Sequence, residues 1–131
     1  MMYREPSDSP WGLVVRCDTL CPGVYSVSTA GHGGIMAQID AARQLLSLEA
    51  QQVGFQAGGY LDFEEDCDAP VVLRELMDSG IIAPRTDNYF RPGEYEACID
   101  RSLQHWNPAY WQARQERLSV REAKAAKERE R

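Results

Sequence analysis

Two stretches near the start of the chain alternate with the period of a β-strand. In Trp11–Thr19, Leu13, Val15 and Cys17 fall on one side and Val14 and Arg16 on the other. In Val24–Thr29, Val24, Ser26 and Ser28 oppose Tyr25, Val27 and Thr29. Period two over such lengths marks half-buried strands. Between them lies Leu20-Cys21-Pro22-Gly23, where proline presets φ and glycine accepts a positive φ, so the pair predicts an antiparallel hairpin. Residues 1–10 read as an irregular lead-in, with Ser-Asp-Ser-Pro as turn chemistry. Three of the four positions Gly31-His32-Gly33-Gly34 are glycine, which predicts tight turning or close backbone approach rather than a regular strand, and Ile35-Met36-Ala37 is a short apolar piece after it.

The period then lengthens. Ile39, Ala42, Leu45, Leu46, Glu49 and Val53 share a stripe that predicts a helix over Gln38–Gln52, stopped by Gly54. Gly58-Gly59 opens a short strand, Tyr60–Phe63. Asp68 and Pro70 suit the start of a helix buried through Val72, Leu73, Leu76 and Met77 and ending at Gly80. Ile81-Ile82 reads as extended before Pro84. Pro92-Gly93-Glu94 opens a further helix with Tyr95, Ile99, Leu103 and Trp106 on one face. Asn107-Pro108 starts the last helix, which carries Tyr110, Trp111 and Leu118. The aromatic residues of this C-terminal third read as core.

These elements predict an α+β fold: a small antiparallel sheet, made of the hairpin plus one or two strands, packed by three or four helices. One domain over residues 1–118 is expected. Beyond Leu118 the apolar stripe fails, so 119–131 is expected to be a charged helical tail that projects from it.

Charge sharpens the picture. Residues 1–111 carry 7 basic and 16 acidic side chains, a net of −9, whereas 112–131 carry 7 and 4, a net of +3. An acidic body repels nucleic acid and suits a basic protein partner or a hard cation. No apolar run reaches the roughly 18 residues of a membrane span, and no apolar leader is evident at the N-terminus. The expectation is a cytoplasmic protein without membrane contact, with Cys17, Cys21, Cys67 and Cys98 reduced.

Two elements suggest chemistry. One is His32 among its glycines. The other is Asp62 to Asp68, where Asp62, Glu64, Glu65, Asp66 and Asp68 make five acids in seven residues. Clustered carboxylates raise each other's pKa, recruit divalent cations, or form a docking surface. Three readings stay open. The first is a binding surface of Asp62, Glu64, Glu65, Asp66 and His32. The second is a metal-dependent hydrolase or transferase, with His32 and the Glu64–Asp66 carboxylates holding the ion and Glu65 as base. The third is purely structural locking of the hairpin to the helices. Zinc on Cys17, Cys21, His32 and Cys67 has an acceptable donor set but no known finger spacing. No nucleophile elbow, P-loop or dinucleotide fingerprint occurs. We assign no catalytic residue, metal or cofactor from the sequence, and the balance leans away from an enzyme.

Three segments resemble an uncharacterised domain family of plasmid, phage and conjugative-element proteins: Ser9-Pro10-Trp11-Gly12, Pro22–Gly34, and Gly58-Gly59-Tyr60 leading to Glu64-Glu65-Asp66-Cys67. The match covers residues 9 to about 80; Asp68-Ala69-Pro70 departs from the aromatic residues that often follow the run in that family. The resemblance implies a compact module of a mobile genetic element. Mobile elements carry many small acidic proteins that block host defence, and the acidic body fits that class by analogy. The expectation is therefore a non-enzymatic protein that binds a basic host protein, such as a nuclease or a CRISPR effector, without touching nucleic acid itself.

Overall fold

The computed structural model describes residues 3–130; Met1, Met2 and Arg131, the ends of the lead-in and of the charged tail, lie outside them. The lead-in is more ordered than its composition suggests. Strand β1 (Asp8–Ser9) pairs with β2 (Gly12–Leu13). The Ser9 hydroxyl closes that turn by donating to the Gly12 carbonyl at 2.6 Å and accepting from the Trp11 N–H at 3.2 Å. The expected hairpin follows as β3 (Arg16–Cys21) and β4 (Val24–Ser28), so its first strand starts at Arg16 rather than Trp11. Gly23 supplies the turn with φ +86°.

The glycine-rich segment departs from expectation. Gly33 and Gly34 do not interrupt a strand; they begin β5 (Gly33–Gln38), the central strand of the sheet. Glycine is needed at Gly34 because the chain is crowded on both sides. A Cβ there would collide with the Phe63 carbonyl and lie 2.5 Å from Trp11 Cη2. Of the two expected causes, close approach explains this residue, within a strand that was not expected.

After β5 come α1 (Ile39–Leu45), α2 (Leu48–Val53), β6 (Phe55–Ala57), β7 (Tyr60–Glu64), α3 (Ala69–Asp78), α4 (Glu94–Trp106) and α5 (Pro108–Arg129). The single helix expected over 38–52 is thus two. Ser47 breaks it: its N–H donates to the Glu75 carboxylate at 2.6 Å, and its hydroxyl accepts from the Ala50 N–H to cap α2. Gly58 and Gly59, both at positive φ, turn β6 into β7. The Ile81-Ile82 segment joins no strand. The architecture is α+β, with five helices and a five-stranded antiparallel sheet ordered β3-β4-β5-β7-β6, richer than the minimal sheet and helix set expected.

The pleat divides the side chains between two layers. Val24, Ile35, Ala37 and Phe63 face the helices and join Ala41, Val72, Leu76, Leu103 and Tyr110 in the main core. Tyr25, Val27 and Met36 face the other way, under Tyr3, Trp11 and Val14 of an N-terminal arm, residues 3–14. Trp11 meets Phe55 edge-on, with ring centroids 6.2 Å apart.

The helices are tied by buried ionic contacts. Glu75 accepts from the Tyr110 hydroxyl at 2.6 Å and from Arg117 at 3.2 Å. Arg74 bonds Asp78, Glu96 and Asp100, and Arg114 holds the same Asp78 with two bonds. Each of these three buried side chains, Arg74, Glu75 and Arg114, has partners, which is the usual condition for keeping a charge inside. Beyond Leu118, α5 continues as a long and mostly exposed helix.

Candidate functional site

The register of β5 and β7 brings the two motifs together. Gly34 lies opposite Glu64, and the Glu65 N–H donates to the Gly33 carbonyl at 3.1 Å. His32 and the acidic turn therefore share one end of the sheet, a proximity that spacing alone did not reveal. The loop before β5 closes on itself. Thr29 N–H and hydroxyl both donate to the His32 carbonyl, at 2.7 and 2.8 Å, and the His32 N–H donates back to the hydroxyl at 3.1 Å. The backbone is thereby held while the His32 side chain stays exposed.

The acidic turn is held from behind. Asp68 N–H donates to the Glu64 carbonyl at 2.9 Å, and the Asn107 amide donates to the Cys67 carbonyl at 2.7 Å and to the Asp68 carboxylate at 3.3 Å. Asp68 does not cap α3 through its side chain. Glu65 and Asp66 are exposed and Glu64 is half-buried. Among the described residues, none of Glu64, Glu65, Asp66 and Asp68 forms an ion pair.

Beside this turn, on the helix side of the sheet, the β3–β4 wing stands away from α3. The gap is a hollow of about 410 Å³ walled by Asp18, Ser26, Ser28, Glu65, Arg85 and Tyr95 over an apolar floor that includes Leu20 and Leu73. Arg85 holds Asp87 through two bonds, at 3.0 and 2.7 Å, and lies over the Phe90 ring. These bonds hold the Asp87 carboxyl below the usual carboxylate range.

Asp62 does not belong to this surface. It was expected on the docking face with Glu64, Glu65 and Asp66, but it is 0 % exposed. Its register partners are Met36 on β5 and Phe55 on β6, so its side chain leaves the sheet on the arm side. Neither carboxylate oxygen has a hydrogen-bond partner. Burial alone pushes this carboxyl up to about 7. The alternation Tyr60-Leu61-Asp62-Phe63 carried the signal: Asp62 shares the face of Tyr60, opposite Phe63.

Ser26, Ser28 and His32 make no side-chain hydrogen bonds with one another, whereas the Cys67 thiol donates to the Glu64 carboxylate at 3.9 Å. Burial, with Glu5 and Asp18 nearby, pushes the Cys17 thiol up to about 11. Burial and the neighbouring Asp68 and Glu64 also raise Cys67, which blunts both as thiolates. The four residues weighed for zinc are spread over the fold, with Cys21 at the end of β3 opposite to His32. Among the described residues, no group of three or more His, Cys, Asp or Glu side chains is placed to hold a metal ion. No helix among them is long and apolar enough to cross a membrane.

Comparison with curated proteins and with solved structures returns no match. A family described as a domain of unknown function, DUF7007, matches residues 4–131, nearly the whole chain including α5, and the chain belongs to it.

Proposed function

We propose that this chain is a non-catalytic binding module that docks the acidic end of its sheet on a basic protein surface. One observation carries the reading: Glu65 and Asp66 sit exposed and without ion pairs among the described residues, on a turn whose backbone is already held by Gly33, Glu64 and Asn107, with half-buried Glu64 beside them at the end of β7. Carboxylates displayed on a preorganised turn lose little freedom on binding, and they steer a cationic partner from a distance. Charge elsewhere supports it. Arg74, Arg114 and Arg117 are spent on internal partners, so they do not offset the turn. Arg85 of the adjoining hollow is likewise taken by Asp87. His32 borders the surface and adds a donor at its edge.

The partner class that fits is a basic, nucleic-acid-binding host protein, such as a nuclease or a CRISPR effector. The module would occupy its nucleic-acid groove and act as an inhibitor within a mobile genetic element.

The test is Glu65→Lys with Asp66→Lys, compared with the parent chain against such an effector, measuring affinity at low and high salt and competition with the effector's nucleic acid. The parent should bind more weakly as salt rises and displace the nucleic acid, and the reversed variant should do neither. Equal affinity of both chains, with the same salt dependence, would refute the docking surface.

A further inference from the structure

The arm side of the sheet carries a second feature, which does not depend on the docking reading and lies across the sheet from Glu65. A hollow of about 340 Å³ opens between the β1–β2 turn and the sheet, lined by Asp8, Ser9, Met36, Ala57 and Tyr60. That volume lies at the small end of ligand pockets, fit for one side-chain-sized group. Asp62 does not line it but adjoins two residues that do. Its same-face neighbour on β7 is Tyr60, and its register partner on β5 is Met36, both of them wall residues.

Buried carboxylates are normally paired, yet both oxygens of Asp62 are bare. Among the described residues, the ionisable groups on this side of the sheet are Tyr60 and Glu64 on β7, Tyr25 on β4, Cys17 on β3, and Tyr3, Glu5 and Asp8 on the arm. Arg4, the basic residue of the described arm, is exposed and meets the sheet through its carbonyl oxygen, 3.5 Å from the Tyr60 hydroxyl. Among the described residues, an unpaired anion thus lies among acids, aromatic rings and a thioether, with no cation bonded to it. Met36, the register partner of Asp62 on β5, also lines the hollow, and its unbranched side chain changes rotamer easily. Aromatic faces and a carboxylate beside a small hollow are the chemistry that recognises an organic cation.

We infer that this hollow binds an alkylguanidinium or alkylammonium head, with Asp62 as its counter-ion beside Met36. Because burial raises the Asp62 carboxyl to about 7, the free site is largely protonated in mild acid. Cation binding therefore tightens as pH rises from 6 to 8 and releases a proton near neutrality.

The experiment titrates the full chain at pH 8 with ethylguanidinium, with a capped Gly-Arg-Gly peptide and with the neutral Gly-citrulline-Gly peptide, read by calorimetry and by the Met36 methyl resonance. Binding of ethylguanidinium shows that a free cation suffices, and binding of the arginine peptide alone identifies a protein side chain as the source. In either case the citrulline peptide should bind about tenfold or more weakly. Asp62→Asn should lose the cation by a similar factor while keeping the fold, since among the described residues no cation is bonded to Asp62. Ala57→Leu, which fills the hollow and leaves Asp62 intact, should lose it as well. Equal binding of the citrulline peptide, undiminished binding by either folded variant, or no response to any probe up to about 10 mM would overturn the assignment.

Discussion

Replacing Asp62 by Asn should make the protein more stable, and the gain should depend on pH in a defined way. The carboxyl titrates near its ordinary 3.8 in the unfolded chain and at about 7 when buried in the fold. Between those values the folded protein keeps a proton that the unfolded chain has released. Stability is therefore greatest below 3.8, falls as pH rises towards 7, and levels off above it. At about 1.4 kcal/mol for each tenfold change in proton concentration, the whole cost is about 4 kcal/mol. Over the accessible window from pH 5 to pH 8 it is about 2–3 kcal/mol. Asn has nearly the same shape and no charge, so its variant should escape this loss. Urea unfolding of both chains at several pH values measures the difference, in which the other carboxylates cancel. The stability difference should grow by about 2–3 kcal/mol from pH 5 to pH 8, or roughly 10 °C in melting temperature. Parallel profiles would refute the reasoning and show that Asp62 is hydrated or paired in solution.

Three further substitutions probe the packing. Tyr110→Phe removes a 2.6 Å bond to the buried Glu75 carboxylate and should cost about 2 kcal/mol in urea unfolding. Gly34→Ala should cost about 2–3 kcal/mol and loosen the arm, visible as faster proteolysis within residues 3–14, because a Cβ meets the Phe63 carbonyl and Trp11. Gly31→Ala, which meets nothing within 4 Å, is the matched control and should stay within about 0.5 kcal/mol. Ending the chain at Arg121 should also change stability by less than about 0.5 kcal/mol, since Arg117 carries the last ion pairs of α5.

The elements legible in the sequence were those whose burial follows a simple period. The β3–β4 hairpin, α3, α4 and the proline start of α5 each bury one regular stripe, and each occurs near its expected place. Elements set by tertiary partners were not legible. The break at Ser47 depends on Glu75, 28 residues away, and an apolar stripe that runs through Leu45 and Leu46 conceals it. β5 was hidden because glycine signals a turn locally, while Gly34 answers to Trp11 and to the Phe63 carbonyl. The β1–β2 arm was hidden because two-residue strands carry no period. At the site, residue types alone drew attention to His32, Glu64, Glu65 and Asp66, and the β5–β7 register then joined them. The walls of the adjoining hollow, Asp18, Arg85 and Tyr95, come from distant segments and left no joint signal.

The acidic run is one patch only when read along the chain. Its first part lies on a strand, where the pleat sends Asp62 under the arm; its later part lies on a turn, where Glu65 and Asp66 reach solvent. Five neighbouring acids thus separate into an internal carboxyl and an external surface, with different costs. The internal one lowers stability as it ionises, whereas the external ones stay solvated and cost little. Substitutions at the two places should therefore act independently. Asp62→Asn should raise stability at pH 8 and leave salt-dependent docking unchanged. Glu65→Lys with Asp66→Lys should abolish docking and leave the Asp62 pH profile in place. In the triple variant the stability changes should add within about 0.5 kcal/mol, as for groups without shared partners. A larger coupling would mean that the turn and the buried carboxyl respond to each other through β7, and that the arm side takes part in docking.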